Sequence, residues 1–127
     1  MRLFEVANTD TTQAELDAFA AQVKARNGLK QFWIFDSGNN IIELSMILVD
    51  KDKRKQGAGS GAMRDLAEFA DDRGLTIKLI PGVKDIGQGT TSRSRLVKFY
   101  KRFGFIENKG RNIDFAIGAG RMIRYPE

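Results

Sequence analysis

The chain has 127 residues, which suits one domain, and its 42% hydrophobic and 29% charged residues are typical of a globular protein. It contains no cysteine and no histidine, which excludes disulfide bonds, Cys or His metal sites, thiol nucleophiles and Ser-His-Asp triads. An enzyme built from it must move protons with carboxylates, tyrosine, lysine or water. The net charge of +5 favours an anionic partner.

Two further features bear on location. No apolar run approaches the roughly 18 residues that cross a bilayer. The first residues, from Met1 to Val6, lack the apolar core of a signal peptide. We therefore expect a cytoplasmic protein that does not enter the membrane.

The first half of the chain alternates between strand and helix signals. Arg2 to Ala7 reads as a short strand, and Thr12 to Glu15 matches a capping box that opens a helix. Gly28 is typical of the residue that ends such a helix. Leu29 to Phe35 and Ile41 to Val49 then predict two strands of a hairpin, because the polar stretch between them has turn chemistry.

The second half continues with helices and strands in alternation. Its predicted elements are a helix through Ala62 to Ala70 ended by Gly74, a strand at Leu75 to Ile80, a long loop at Gly82 to Ser92, a helix through Leu96 to Phe103, and strands at Phe105 to Glu107 and Gly120 to Tyr125. This order predicts an α/β (α+β) fold over residues 1–127, in which helices flank both faces of one mixed, mostly antiparallel sheet.

Three glycines at alternate positions, Gly57, Gly59 and Gly61, follow the second strand of the hairpin and a basic run. Glycine lets a ligand approach the backbone closely, and the first turn of the next helix offers unpaired N–H groups to an anion. This pattern is one way in which a backbone holds phosphate. The alternative is a flexible loop with solvated charges.

Two known phosphate loops fit this stretch poorly. A Walker loop needs Lys-Ser or Lys-Thr after its last glycine, whereas Ala62 and Met63 follow Gly61. A dinucleotide-binding fingerprint needs a tight turn directly after the strand and an acidic residue in the next strand. Seven residues separate Val49 from Gly57, and Leu75 to Pro81 contains no Asp or Glu.

Arg54 to Gly59 matches the R-x-x-G-x-G signature of the GNAT superfamily of acyl-CoA-dependent N-acyltransferases. Lys98 to Phe105 resembles the second hallmark of that family, in which a helix ends with an aromatic residue and tyrosine and runs into Gly-Phe. Met122 to Arg124 resembles its usual last strand. The resemblance covers Ile41 to Tyr125 and implies a minimal, single-domain GNAT-like fold that binds acetyl-CoA.

The resemblance also implies a set of coenzyme contacts. In the family, backbone amides of the signature loop grip the pyrophosphate, and the preceding strand pairs with the pantetheine arm. Arg93 stands where members often carry Asn, and we expect it to meet the 3′-phosphate or an acidic acceptor. The expected cofactor-binding residues are Leu48, Val49, Arg54, Lys55, Gln56, Gly57, Ala58, Gly59, Ser60 and Arg93.

Two residues match the catalytic positions of the family. Tyr100 matches the general acid, and the alternative is a core tyrosine. Glu43, eleven positions before Arg54, lies where histone-type members carry the base; the alternatives are an exposed strand carboxylate and a water as base. Strand alternation predicts that Glu43 shares a face with Ser45 and Ile47.

The resemblance implies an N-acetyltransferase that moves an acetyl group from acetyl-CoA to a primary amine by direct attack in a ternary complex. It implies no metal, and the acceptor, a small molecule or a protein, is not readable. We expect a monomer or a homodimer. The alternatives are a GNAT-like protein that binds coenzyme A or a partner without catalysis, and a basic nucleic-acid-binding module.

Overall fold

The structure, a computed structural model, describes residues 11–49, 57–81, 93–110, 113–114, 117–118 and 120–127. The predicted strand at Arg2 to Ala7 and the predicted loop at Gly82 to Ser92 lie outside these residues. Within them the elements in chain order are α1 (Gln13–Asn27), β1 (Leu29–Asp36), β2 (Ile41–Val49), α2 (Ala58–Arg73), β3 (Thr76–Leu79), α3 (Arg93–Lys101), β4 (Ile106–Glu107) and β5 (Met122–Arg124).

The helix ends follow the capping residues that the sequence provides. Thr12 Oγ1 accepts a hydrogen bond from the Glu15 N–H at 3.2 Å, which starts α1. Gly28 ends α1 with φ of 66° and donates its N–H to the Lys24 carbonyl. Gly74 ends α2 in the same left-handed conformation. The predicted helix start at Thr12 and both glycine ends are confirmed.

The described strands form one five-stranded sheet in the order β1-β2-β3-β5-β4. The β2–β3 pair is parallel, and the other neighbouring pairs are antiparallel. The predicted hairpin of β1 and β2 and the mixed, mostly antiparallel sheet are therefore confirmed.

A β-bulge interrupts the hairpin in the middle of β2. Trp33 pairs with Met46, but Ile34 pairs with Leu44, so Ser45 is an extra residue on β2. An extra residue of this kind leaves the ladder locally unpaired and exchanges the two faces of the strand beyond it.

This exchange corrects the predicted neighbours of Glu43. Simple alternation places Glu43 on the face of Ile47, which is wrong, because Ile47 and Val49 beyond the bulge are buried in the core. Glu43 shares its face with Met46 and Leu48, which are half-buried.

One hydrophobic core joins all of these elements. It contains buried residues of the three described helices, such as Leu16, Met63 and Leu96, together with sheet residues that share one face, such as Ile42 and Ile77. We call this side of the sheet the helical face. Among the described residues, every helix contributes its buried side chains to this core, so the predicted placement of helices on both faces is not seen there.

The opposite side, which we call the second face, is defined by a row of residues across the strands. Register pairs Phe35 with Glu43, Glu43 with Lys78, Lys78 with Ile123, and Ile123 with Ile106. Phe35 is 44% exposed and Ile106 is 53% exposed. The second face therefore carries apolar side chains around one carboxylate and one ammonium group.

An ion pair ties the last strand to α2. Arg124 is buried, and its guanidinium donates to Asp71 at 2.7 and 2.9 Å. Its Nε donates to the Phe103 carbonyl at 2.7 Å. One side chain thus links β5, α2 and the turn after α3.

Candidate active site

The sheet opens between β2 and β3. These parallel strands pair over three positions, of which the last is Glu43 with Lys78. Beyond that point β2 continues to Val49, whereas β3 ends at Leu79. We call this opening the wedge. In the part of the chain that the structure describes, no strand pairs with β2 here on its β3 side, so its backbone groups can pair with an extended ligand.

The N-terminus of α2 follows β2 in the chain. Gly57 precedes the helix with φ of 77°, no side chain caps it among the described residues, and its first turn holds no acidic residue. A Cβ on Gly57 would meet no atom within 4 Å. The amide groups of Ala58, Gly59 and Ser60 belong to this first turn, where unpaired N–H groups and the helix dipole favour an anion.

Gly61 has a different role. A Cβ at this position would overlap Asn27 Oδ1 at the end of α1. Asn27 is held in place, because its Nδ2 donates to the Val23 carbonyl at 2.9 Å and to Asp65 Oδ2 at 3.0 Å. The expectation that all three alternate glycines admit a ligand is therefore corrected: the missing side chain of Gly61 lets α1 and α2 pack closely.

Glu43 lies where the wedge begins, on the second face. Its side chain is 29% exposed, and two cations approach the same carboxylate oxygen, Oε1. Lys78 Nζ lies 3.8 Å from this oxygen. Arg121 Nη1, which comes from the residue before β5, lies 3.5 Å from it. The carboxylate is therefore oriented by two ion pairs, and neither is with Oε2.

Tyr100 lies in the core on the helical face and is 2% exposed. Its ring packs edge to face against Phe99 and Phe105, with centroids 5.2 and 5.8 Å apart. Glu43 and Tyr100 therefore approach the sheet from opposite sides. A ligand can contact both Glu43 and Tyr100 only if it extends through the wedge, where the sheet is open between its two faces.

A comparison with protein families decides the classification. The model of the acetyltransferase (GNAT) family matches residues 19–105, well over half of the chain. The chain belongs to the GNAT acetyltransferase family. The matched segment includes the wedge, the start of α2 and Tyr100. No curated protein and no solved structure matches the chain.

For a GNAT protein, the expected coenzyme residues that the structure describes divide into three groups. Leu48 and Val49 lie on the β2 edge of the wedge, where Val49 is 2% exposed and points its side chain into the core. Gly57, Ala58, Gly59 and Ser60 lie at the start of α2. The predicted contacts of Arg54, Lys55 and Gln56 lie outside the described residues.

Arg93 forms the third group, at the start of α3. Its Nη1 donates to the Pro81 carbonyl at 2.8 Å, and its Nη2 donates to the Gly120 carbonyl at 3.4 Å. The guanidinium thus links the chain after β3 to the chain before β5. Its contact with a coenzyme phosphate or an acidic acceptor stays a prediction.

Sequence reasoning missed two residues of the site, Lys78 and Arg121. Lys78 breaks the apolar strand that precedes Pro81, and its polarity was a signal that this strand has a second, accessible face. The position of Arg121 beside Glu43 had no comparable signal, because it depends on β5 lying next to β3.

The described residues contain no group of three or more Asp and Glu side chains placed to hold a metal ion. None of the described helices is long and apolar enough to cross a membrane.

Proposed function

We propose that this GNAT protein transfers the acetyl group of acetyl-CoA to a primary amine, within a ternary complex. One observation carries the proposal: in the described residues, an unpaired strand edge in the wedge precedes a helix N-terminus without a side-chain cap, within a segment that matches the family. An extended arm and a pyrophosphate require these two features, in this order.

In this proposal the coenzyme binds mainly to backbone. The pantetheine amides pair with β2 at Leu48 and Val49, and the pyrophosphate accepts hydrogen bonds from amides between Arg54 and Ser60. A site of this kind needs no side chain at Gly57, and the space there is open. Arg93, at the N-terminal end of α3, is the candidate for the 3′-phosphate.

The chemistry assigns each proton to a named group. Glu43 removes a proton from the acceptor ammonium, directly or through a water, because an amine with a pKa of about 10.4 must be neutral to attack. The nitrogen of the neutral acceptor amine attacks the thioester carbon, and a backbone N–H at the wedge stabilises the developing oxyanion. The C–N bond forms, the C–S bond breaks, and Tyr100 protonates the leaving thiolate. The second amine proton leaves the nitrogen as the amide forms and returns to the Tyr100 phenolate through water, while Glu43 releases the first proton to solvent.

Thermal unfolding with and without acetyl-CoA tests the coenzyme site. A ligand at 100 times its dissociation constant stabilises the fold by about 2.7 kcal/mol, which raises Tm by several degrees. Gly57→Asp and Gly57→Asn form a matched pair, because both residues tolerate the left-handed conformation and only Asp repels phosphate. We expect Asp to reduce the Tm shift much more than Asn.

A second measurement separates catalysis from binding. Release of free thiol from acetyl-CoA is followed with a panel of amines, including amino acids and polyamines. Thiol release that depends on the amine supports acetyl transfer. A Tm shift without such release supports the non-catalytic alternative, and no shift at millimolar acetyl-CoA contradicts the proposed function.

A further inference from the structure

We propose that the acceptor is an amine that also carries a carboxylate, with an apolar side chain, as in an apolar α-amino acid. Arg121 and Lys78 bind the carboxylate, and Glu43 receives the amine. This inference rests on the proposed function, and names the substrate class for the same site.

The charge around Glu43 favours an acceptor that carries a carboxylate. At the mouth of the wedge two cations surround one carboxylate, and their side chains are 26% exposed for Arg121 and 17% exposed for Lys78. A cationic acceptor such as a polyamine would meet a net positive charge in a partly desolvated place, where repulsion is strong. An acceptor with its own carboxylate balances that charge.

Arg121 has a hydrogen-bond donor that no acceptor in the described residues satisfies. Arg121 Nη1 is buried and has no hydrogen-bond acceptor in the described part of the chain, since Glu43 Oε1 forms an ion pair with it but no hydrogen bond. A buried donor without an acceptor is unfavourable, and a guanidinium is suited to bind a carboxylate through two parallel hydrogen bonds. Because Nη1 itself has almost no accessible surface, a ligand carboxylate would bind the partly exposed edge of the guanidinium, and would satisfy Nη1 once the side chain turns toward it.

Hydrogen bonds fix the backbone around Arg121 before a ligand binds. The Asn108 N–H donates to the Arg121 carbonyl at 2.9 Å. The buried Asn108 side chain donates to the carbonyls of Asp114 and Gly118 at 2.9 and 2.6 Å, and accepts from the Asp114 N–H at 2.7 Å. The backbone that carries Arg121 is therefore fixed before a ligand arrives, which lowers the entropic cost of binding.

Two partly exposed aromatic rings lie beside Glu43, where the side chain of the acceptor would bind. Phe35 pairs with Glu43 across the hairpin, and Trp33, which is 49% exposed, stacks with Phe35 at a centroid distance of 6.5 Å. Trp33 Nε1 already donates to Gln31 Oε1, so the indole presents an apolar surface. An apolar side chain attached to the amine would lie against these two rings.

Phenylalanine, phenylalaninamide and phenethylamine test the inference, because they share an amine and an aromatic ring, and only phenylalanine has a carboxylate. Binding is measured by isothermal titration, and acetyl transfer by thiol release. We expect phenylalanine to bind and react roughly ten- to a hundred-fold better than the other two, as for a charge-assisted hydrogen-bonded pair.

Substitutions test whether Arg121 and Lys78 bind the acceptor carboxylate. Arg121→Gln and Lys78→Gln should each remove most of the preference for phenylalanine. Arg64→Gln is the matched control, because it removes one exposed cation from α2, away from the second face. Tm of each variant establishes that it is folded, and Arg121→Lys provides a second variant that retains the charge.

The outcomes separate this inference from the proposed function. Equal binding of all three compounds, no binding of phenylalanine, or an equal effect of Arg64→Gln overturns the inference. Acetyl transfer to phenethylamine as fast as to phenylalanine overturns it while acetyl transfer itself stands. Binding of phenylalanine that depends on Arg121, without thiol release, supports the carboxylate site and contradicts the proposed function.

Discussion

Glu43 is one of two carboxylates in the described chain that have two cationic neighbours on a single oxygen. The other is Glu107, whose Oε2 lies 3.4 Å from Lys101 Nζ and 3.5 Å from Lys109 Nζ. The cations are 17% and 26% exposed at Glu43 but 51% and 74% exposed at Glu107, and only Glu43 lies at the wedge. Position in the fold, rather than local charge, therefore distinguishes a candidate base from an ordinary surface carboxylate.

This likeness provides a controlled test of catalysis. We expect Glu43→Gln to lower kcat by about 10²-fold or more, because the amide cannot accept the proton of the amine. Glu107→Gln should leave kcat within about twofold, since exposed ion pairs contribute little. Steady-state rates of thiol release at saturating amine measure both. Equal rates for Glu43→Gln and the unmodified protein would exclude Glu43 as the base.

The proposed role of Tyr100 as general acid can be tested by removing its hydroxyl oxygen. In Tyr100→Phe the ring keeps its packing against Phe99 and Phe105, so Tm should fall by only a few degrees. If the hydroxyl protonates the leaving thiolate, kcat falls by about 10²-fold while the affinity for acetyl-CoA is retained. Tyr125→Phe removes a hydroxyl outside the core and serves as control. An unchanged kcat would leave Tyr100 a packing residue.

At the scale of elements, the contact between α1 and α2 depends on a glycine and an asparagine. Gly61 leaves the space that Asn27 Oδ1 fills, and Asn27 joins the two helices through its hydrogen bond to Asp65. The end of α1 is thereby fixed against the first turns of α2, the helix that starts at the candidate phosphate site.

Gly61→Ala should therefore have opposite effects in two backgrounds. Alone, the added Cβ displaces Asn27 from its hydrogen bonds, and we expect a net loss of about 1 kcal/mol in the free energy of unfolding. In an Asn27→Ala background the clash is absent, and the better helix propensity of Ala should stabilise the protein by up to about 1 kcal/mol. Urea unfolding of the four proteins measures the coupling; additive effects would contradict the packing role.

Most elements could be predicted from the sequence because their signals are local. Thr12 caps α1, and Gly28 and Gly74 end helices, through contacts within a few residues. The bulge at Ser45 depends on how β1 packs beside β2, so simple alternation gave Glu43 the wrong neighbours. The roles of Lys78 and Arg121 depend on which strands are adjacent, and no local signal reports that.

At the scale of the whole molecule, the end of the chain is held by Arg124 and Asp71. The Arg124 guanidinium hydrogen-bonds Asp71 and holds the pKa of this carboxyl below its usual value. Because the folded-state pKa is lower than the unfolded one, the resulting stability is complete above the unfolded value of about 3.9 and is lost as pH falls through the folded value.

Asp71→Asn should therefore destabilise the protein in a pH-dependent manner. Near neutral pH we expect a loss of about 3 kcal/mol, because the buried Arg124 loses its ion pair with Asp71 and keeps only the pair with the exposed Glu127 at 3.7 Å. The difference from the unmodified protein should shrink below about pH 4, as Asp71 is protonated in both states. Urea unfolding between pH 3 and 7 measures it, with the exposed Asp72→Asn as control. A difference that stays constant with pH would contradict this account.

The division of the sheet into a helical face and a second face has an evolutionary consequence. Side chains such as Trp33, Phe35 and Ile106 are half exposed and lie away from the core that joins the helices. If the second face binds the acceptor as proposed, substitutions among them should change acceptor recognition at little cost in folding, whereas the backbone groups of the wedge do not depend on side-chain identity. Under the proposed function, the same scaffold could therefore keep one acyl donor and acquire new acceptors by point mutation.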